Sequence, residues 1–206
     1  MMLFASCSNL FAAQNTKALK VKEYKLKNGL TVWLNEDHSQ PKVFGAVVVK
    51  AGAKDCPDTG IAHYFEHMMF KGTDKIGTVD YDAEKTLLDS IALKYDKLAA
   101  TEDEAVRSQI QKEINELSIR SSDYGSPNGF NRLISKDGGS GLNAATSYYA
   151  TIYCNTFSPQ YMSQWAEINS ERLLNPVFRL FQSELETVYE EKNMYGDFIG
   201  GPVMDR

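Results

Sequence analysis

The chain has 206 residues, 43% of them hydrophobic and 24% charged, with a formal net charge of −5. That composition suits a globular domain with a sizeable core and excludes a disordered chain, and the mild acidity gives no basis for nucleic-acid binding. No apolar run approaches the roughly 18–20 residues a membrane-spanning helix needs.

The first sixteen residues carry no charged side chain and include the apolar runs Met2–Cys7 and Leu10–Ala13. We read residues 1–18 as the remnant of an export signal rather than a structureless terminus. The small-residue step before Gln14 resembles a cleavage site, and Ser6-Cys7 weakly resembles a lipoprotein site. This reading favours the periplasm or cell envelope over the cytoplasm. Cys7, Cys56 and Cys154 form no C-x-x-C pair, so neither a disulfide framework nor a thiolate metal site is expected. Cys154 is expected as a small core residue in an apolar strand.

Tyr24 to Asn35 reads as a β-hairpin turning at Asn28-Gly29. Val43 to Lys50 reads as a strand, and the continuous run Ala46–Val49 suggests a central one. A helix is expected over 59–71, capped by Asp58 or Thr59 and stopped at Gly72. Its apolar residues Ile61, Tyr64, Phe65, Met68, Met69 and Phe70 predict burial. Residues 80–120 read as a helical hairpin, from Leu87, Ile91, Tyr95 and Leu98 and then Val106, Ile110, Ile114 and Leu117. A capping box of Thr101 and Glu104 would start its second helix. The hairpin reads as a solvated excursion without chemistry. Ser122 to Gly141 is rich in Ser, Gly, Asn and Asp and reads as a long loop. Leu142 to Phe157 reads as one strand. A helix opens at Ser158-Pro159 and runs to about Leu174, and another runs from about Ser183 to Tyr195. The order predicts an α+β fold, a largely antiparallel sheet covered by helices on one face.

The stretch with the most chemistry is His63-Tyr64-Phe65-Glu66-His67, an H-x-x-E-H motif using two of only three histidines. On a helix, His63 and His67 stand one turn apart and can hold one metal ion together. Glu66 projects about 60° from His63, where a carboxylate reaches a metal-bound water rather than the metal. The pattern inverts the H-E-x-x-H arrangement and points to metal-assisted peptide hydrolysis. A catalytic zinc usually has three protein ligands. His38, in a polar turn, is expected to be exposed, so a carboxylate is the natural third. The run Glu184–Glu191 offers two helix faces, Glu184 with Glu191 and Glu186 with Glu190, and spacing alone does not choose between them.

At this point the sequence resembles the pitrilysin/insulinase-type zinc peptidases. The resemblance rests on Leu26–Val32, Gly60–Thr73, Leu142–Ser147 followed by Thr151 and Tyr153, and Glu184–Met194, in that order. It implies that His63 and His67 bind one zinc ion and that Glu66 is the general base. It places the third ligand at Glu191, with Glu184 as a supporting acid and Glu190 as the fallback. It implies that Asn143, Ala144 and Thr146 lie on an edge strand that pairs with extended peptide substrate. Residues 19–206 would then be the N-terminal part of the catalytic domain. The long spacing from His67 to Glu191 is accounted for by an insertion, helical hairpin plus loop, at 85–137. The family pattern continues past the position of Arg206 and pairs this domain with a second, homologous domain or subunit that closes a chamber. The functional expectation is a zinc-dependent endopeptidase. The rival, from another class, is a catalytically silent structural or peptide-binding subunit, or an inactive fragment, of the same fold.

Overall fold

The computed structural model describes residues 19–57 and 59–197. The signal reading of residues 1–18, Cys7, the Asp58 cap and the chain end at Arg206 lie outside the described residues. The chain divides into two compact units between Gln40 and Pro41. The first contains an antiparallel hairpin, β1 (Val21–Lys25) and β2 (Thr31–Asn35), in register from Val21 opposite Asn35 to Lys25 opposite Thr31. The predicted turn closes it: Leu26 N–H donates to Leu30 O, and Gly29 takes φ 88°. His38 is exposed.

The second unit holds a three-stranded antiparallel sheet in the order β3 (Val43–Val49), β5 (Thr151–Phe157), β4 (Ser140–Thr146). Two expectations are corrected here. The middle strand is β5, not β3, whose Phe44 and Val48 are exposed. The segment 142–157 is two strands, not one, folded back at Ser147–Ala150. That turn has no Gly, Pro or Asn. Ser147 closes it instead: its Oγ donates to Ala150 O and accepts from Ala150 N–H.

Along β5, Thr151, Tyr153, Asn155 and Phe157 are buried and the alternate residues half-buried, the period-two pattern of a strand with one core face. Cys154 falls on the half-buried side rather than in the core. The buried face is covered by α1 (Ile61–Met68), α4 (Gly129–Lys136) and α5 (Met162–Leu174), through Phe70 against Tyr153 and Trp165 stacked on Phe157. The α4 helix corrects the loop expected at 122–141. Within that polar stretch, Phe130 and Ile134 are one turn apart and both buried.

Helices α2 (Tyr81–Ala99) and α3 (Glu104–Ser122) form the expected hairpin around Ile91, Ile110 and Ile114, with Leu88, Tyr95, Leu98 and Leu117 against them. Val106 is exposed. The start of α3 also differs: its cap is Asp103, whose Oδ1 accepts from the N–H groups of Ala105 and Val106. Asp103 is two residues nearer the helix than Thr101, so its carboxylate meets the free N–H groups directly. The last helix is α6 (Phe181–Asp197). The fold is thus α+β with an antiparallel sheet. No helix among the described residues is long and apolar enough to cross a membrane.

Candidate metal centre

The helix with the H-x-x-E-H motif begins later than its sequence suggests. Its N-cap is Gly60 at φ 66°, and Thr59 contributes only a long hydrogen bond from Ile61 N–H, 3.3 Å. Nor is it buried all round. Tyr64, Glu66, Met68 and Met69 are buried, while Ile61 and Phe65 are about half exposed. After Met69 the chain turns sharply at Gly72, φ 114°, where a Cβ would lie 2.1 Å from Ile76 O and 2.7 Å from Arg179 Nη1. Only glycine fits that turn.

The buried Arg179 clamps the region. It donates to both carboxylate oxygens of Glu84 in α2, at 2.5 and 2.9 Å, and to the carbonyls of Thr73, Lys71 and Ile76. Arg179 lies just ahead of α6, so one side chain ties the end of the motif helix, the start of α2 and the entry to α6 together. Tyr64 adds a second tie, donating to Phe181 O at 2.7 Å with the two rings edge to face. Tyr95 of α2 donates to Gln182 Oε1 at 3.2 Å. The hairpin, expected to be a solvated excursion, also braces the start of α6.

These ties set α6 beside α1. His63 Nε2 and His67 Nε2 are 3.2 Å apart, and Glu191 Oε2 is 3.5 Å from the first and 3.4 Å from the second. Three donors at the corners of a nearly equilateral triangle suit a tetrahedral ion. With metal–ligand distances of about 2.0–2.1 Å, adjacent donors in such a site are roughly 3.3–3.4 Å apart. Two imidazoles and one carboxylate also form a catalytic zinc donor set. These residues therefore fit the group. The triangle is partly open, with His63 and Glu191 side chains about one-third exposed, so water can reach it.

The two glutamate faces left open by spacing are distinguished by packing. Glu184 and Glu191 face α1, whereas Glu186 and Glu190 are exposed. Glu184 is buried, pairs with Lys71, and places Oε1 3.8 Å from His67 Nδ1. That is too long for a hydrogen bond, but it puts a carboxylate beside the second ring nitrogen of His67.

Glu66 is 6% exposed, and its Oε2 accepts from Thr146 Oγ1 at 2.6 Å. Asn143, Ala144 and Thr146 lie on β4, which pairs with β5 on one side. Among the described residues no strand pairs with its other side. Beside this edge, burial pushes the Tyr153 phenol up to about 12, and the neighbouring Glu66 adds to the rise while Arg172 opposes it. Arg172 itself is buried under the rings of Phe130, Phe70 and Tyr153, at 4.4, 4.9 and 5.5 Å. Its guanidinium has no hydrogen-bond partner among the described residues, and burial lowers its pKa to about 10. Cation–π contact with three faces is its observed support. Sequence reasoning missed Lys71, Arg172, Arg179 and the Thr146–Glu66 bond. Arg179 did carry a signal: a lone charge within Pro176–Phe181, an otherwise apolar stretch, demands a buried partner.

Residues 31–91 match the family described as Insulinase (Peptidase family M16). The match covers less than half of the chain. The resemblance to the pitrilysin/insulinase peptidases is borne out, by sequence over this segment and by fold over most of the chain. A protease from Helicobacter pylori superposes with a TM-score of 0.57 at 20% identity, covering 86% of this chain and 32% of that one. Pitrilysin gives 0.50 at 18% identity, over 88% and 14%. The first half of the periplasmic protease PqqL from Escherichia coli gives 0.50 at 21% identity, over 87% and 30%. No curated protein matches the chain in sequence. The chain thus spans less than a third of each of these solved proteases.

Proposed function

We propose that the chain is the metal-binding part of a zinc-dependent endopeptidase acting on extended or unfolded polypeptide segments. The observation that carries this reading is the donor triangle of His63, His67 and Glu191, with Glu66 on the same helix as the two histidines. A zinc ion held there supplies a Lewis acid that polarises the scissile carbonyl and brings the pKa of water towards about 7. Glu66 is the general base: it takes the proton of the attacking water and returns it to the leaving amine. Glu184, paired with Lys71, stands behind the His67 ring as the supporting acid. The open side of β4 at Asn143, Ala144 and Thr146 receives the substrate backbone as an added strand.

Because the chain covers 32%, 14% and 30% of the three proteases, we also propose that a second homologous domain, on the same chain or a partner subunit, completes the chamber. Residues 19–206 are then the N-terminal part of the catalytic domain, with 85–137 as an insertion. Residues 1–18 are an export-signal remnant that places the protein in the periplasm or cell envelope. The same coverage favours a second reading for this chain by itself, a catalytically silent fragment or subunit.

Zinc stoichiometry tests the site. We expect one ion per chain, lost in Glu191→Ala and retained in Glu190→Ala and Glu66→Gln; the reverse behaviour of the two alanine variants overturns the ligand assignment. Hydrolysis tests the base. Joined to its second domain, Glu66→Gln should keep its zinc and lose about 10²–10⁴-fold in kcat, and cleavage at the unaltered rate would sink the mechanism. Stoichiometric zinc with no hydrolysis in the unsubstituted protein supports the silent reading.

A further inference from the structure

Thr146 sits at a junction that substrate binding alone does not explain. Its Oγ1 is 2.6 Å from Glu66 Oε2 and 3.4 Å from Thr151 Oγ1. Thr151 donates its one hydroxyl hydrogen to Ala51 O at 3.0 Å, so it has none for Thr146. The Thr146 hydrogen goes to the shorter of its two contacts, the 2.6 Å one to Glu66 Oε2, where the carboxylate accepts. Among the described residues, Glu66 Oε1 accepts no protein hydrogen bond. The carboxylate is thus held by one oxygen and offers the other.

The donor itself is fixed from three sides. Thr146 is paired with Thr151 at the closed end of the β4–β5 ladder. The turn that follows is closed by Ser147 on Ala150. That turn is in turn braced by backbone bonds from the 3₁₀ turn Ala53–Asp55: Ala53 N–H donates to Ser147 O and Lys54 N–H to Tyr148 O, each at 3.0 Å. Gly52 permits this approach, since a Cβ there would lie 2.4 Å from Ser147 O and 2.6 Å from Ala150 N. The open end of β4 is different, with an irregular register between Ser140 and Asn143. The braced end of the strand is the one that meets Glu66.

We infer that Thr146 is a positioning residue that holds the Glu66 carboxylate, so that the strand receiving the peptide also sets the aim of the base. This rests on the peptidase reading for its catalytic consequence but not for the bond itself. A hydrogen bond to a buried carboxylate is charge-assisted and short, as this one is. Removing it leaves Glu66 free to rotate about its side-chain torsions and leaves a buried oxygen unpaired.

Infrared difference spectra of the metal-free 206-residue chain test the bond directly. Subtracting the Glu66→Gln spectrum from the wild-type spectrum isolates the Glu66 carboxylate stretch. We expect Thr146→Val to displace that band and Thr146→Ser, which keeps the hydroxyl, to restore it. An unmoved band in Thr146→Val, or a band equally displaced in both, overturns the inference. In the zinc-loaded protein with its second domain, Thr146→Val should lower kcat about tenfold to a hundredfold at unchanged KM and zinc content, with recovery in Thr146→Ser. Equal kcat in wild type and Thr146→Val overturns the positioning role. Absence of hydrolysis in the wild type, with the band shift intact, supports the bond and instead overturns the peptidase reading.

Discussion

The helical hairpin α2–α3 and the helix pair α1–α6 are built by opposite means. The hairpin buries Ile91, Ile110 and Ile114 and flanks them with Leu88, Tyr95, Leu98 and Leu117, all from one continuous stretch of chain. The pair α1–α6 joins elements more than a hundred residues apart and shares a buried apolar cluster of only Tyr64, Met68 and Val188. What it lacks in apolar area it replaces with directed polar contacts: Tyr64 on Phe181 O, Lys71 on Glu184, and the Arg179 clamp. A surface that must present two histidines and two glutamates cannot also be a thick apolar layer. Buried polar bonds serve there because they fix direction, and breaking them strands a charge. The hairpin resists through area and tolerates small shifts, while the site resists through geometry and does not.

This comparison predicts where stability and metal affinity separate. Arg179→Ala removes the clamp and leaves Glu84, 1% exposed, buried without its partner. Breaking a buried ion pair in this way costs about 3–5 kcal/mol. Urea unfolding should show that loss, and zinc titration of the folded fraction should show weakened binding, because Arg179 sets the entry of α6. Full zinc affinity in Arg179→Ala would mean that Glu191 is positioned by contacts other than these.

Ile114→Ala is the complementary cut. Ile114 is fully buried in the hairpin cluster, so truncation leaves a cavity and costs about 3 kcal/mol, within the usual range for such changes. Its zinc affinity should change far less than in Arg179→Ala, since the cluster lies inside the hairpin and the Arg179–Glu84 brace to α6 is outside it. Glu184→Ala should do the reverse, at smaller scale. Carboxylates behind ligating histidines typically contribute 10–100-fold in metal affinity, and a drop in that range, read by competition with a zinc chelator, is expected. A change confined to stability would reduce Glu184 to a partner of Lys71.

The same contrast explains what the sequence made legible. Local signals were read correctly: Asn28-Gly29 closes β1–β2, and the helical periodicity of 80–120 gives the hairpin. His63, Glu66 and His67 were legible as a group because helix geometry alone puts them together. Glu191 was not legible by spacing, since Glu186 and Glu190 present an equally regular face; the choice lies in Tyr64, Lys71 and Arg179, which act across the fold. Helix α4 was hidden because its two core residues, Phe130 and Ile134, stand in a stretch whose other residues are those of a loop. The Ser147–Ala150 turn was hidden because a serine side chain does the work usually done by glycine or asparagine. The strand β3 was misplaced because a continuous apolar run marks a buried central strand only when both its faces are covered, and Phe44 and Val48 are not.

The smallest predicted effect tests one such misreading inside the hairpin. The Thr101–Glu104 pair has the letters of a capping box, but Thr101 Oγ1 accepts only from Asp103 N–H, at a long 3.4 Å. Asp103 Oδ1 instead takes the N–H groups of Ala105 and Val106, at 2.9 and 3.1 Å, and its negative charge sits at the positive end of α3. Asp103→Ala should therefore cost about 1 kcal/mol, and Thr101→Val distinctly less. The reverse order in urea unfolding would restore the capping box. Neither variant should alter zinc affinity, because the start of α3 is at the far end of the hairpin from Glu84, where α2 meets the Arg179 clamp.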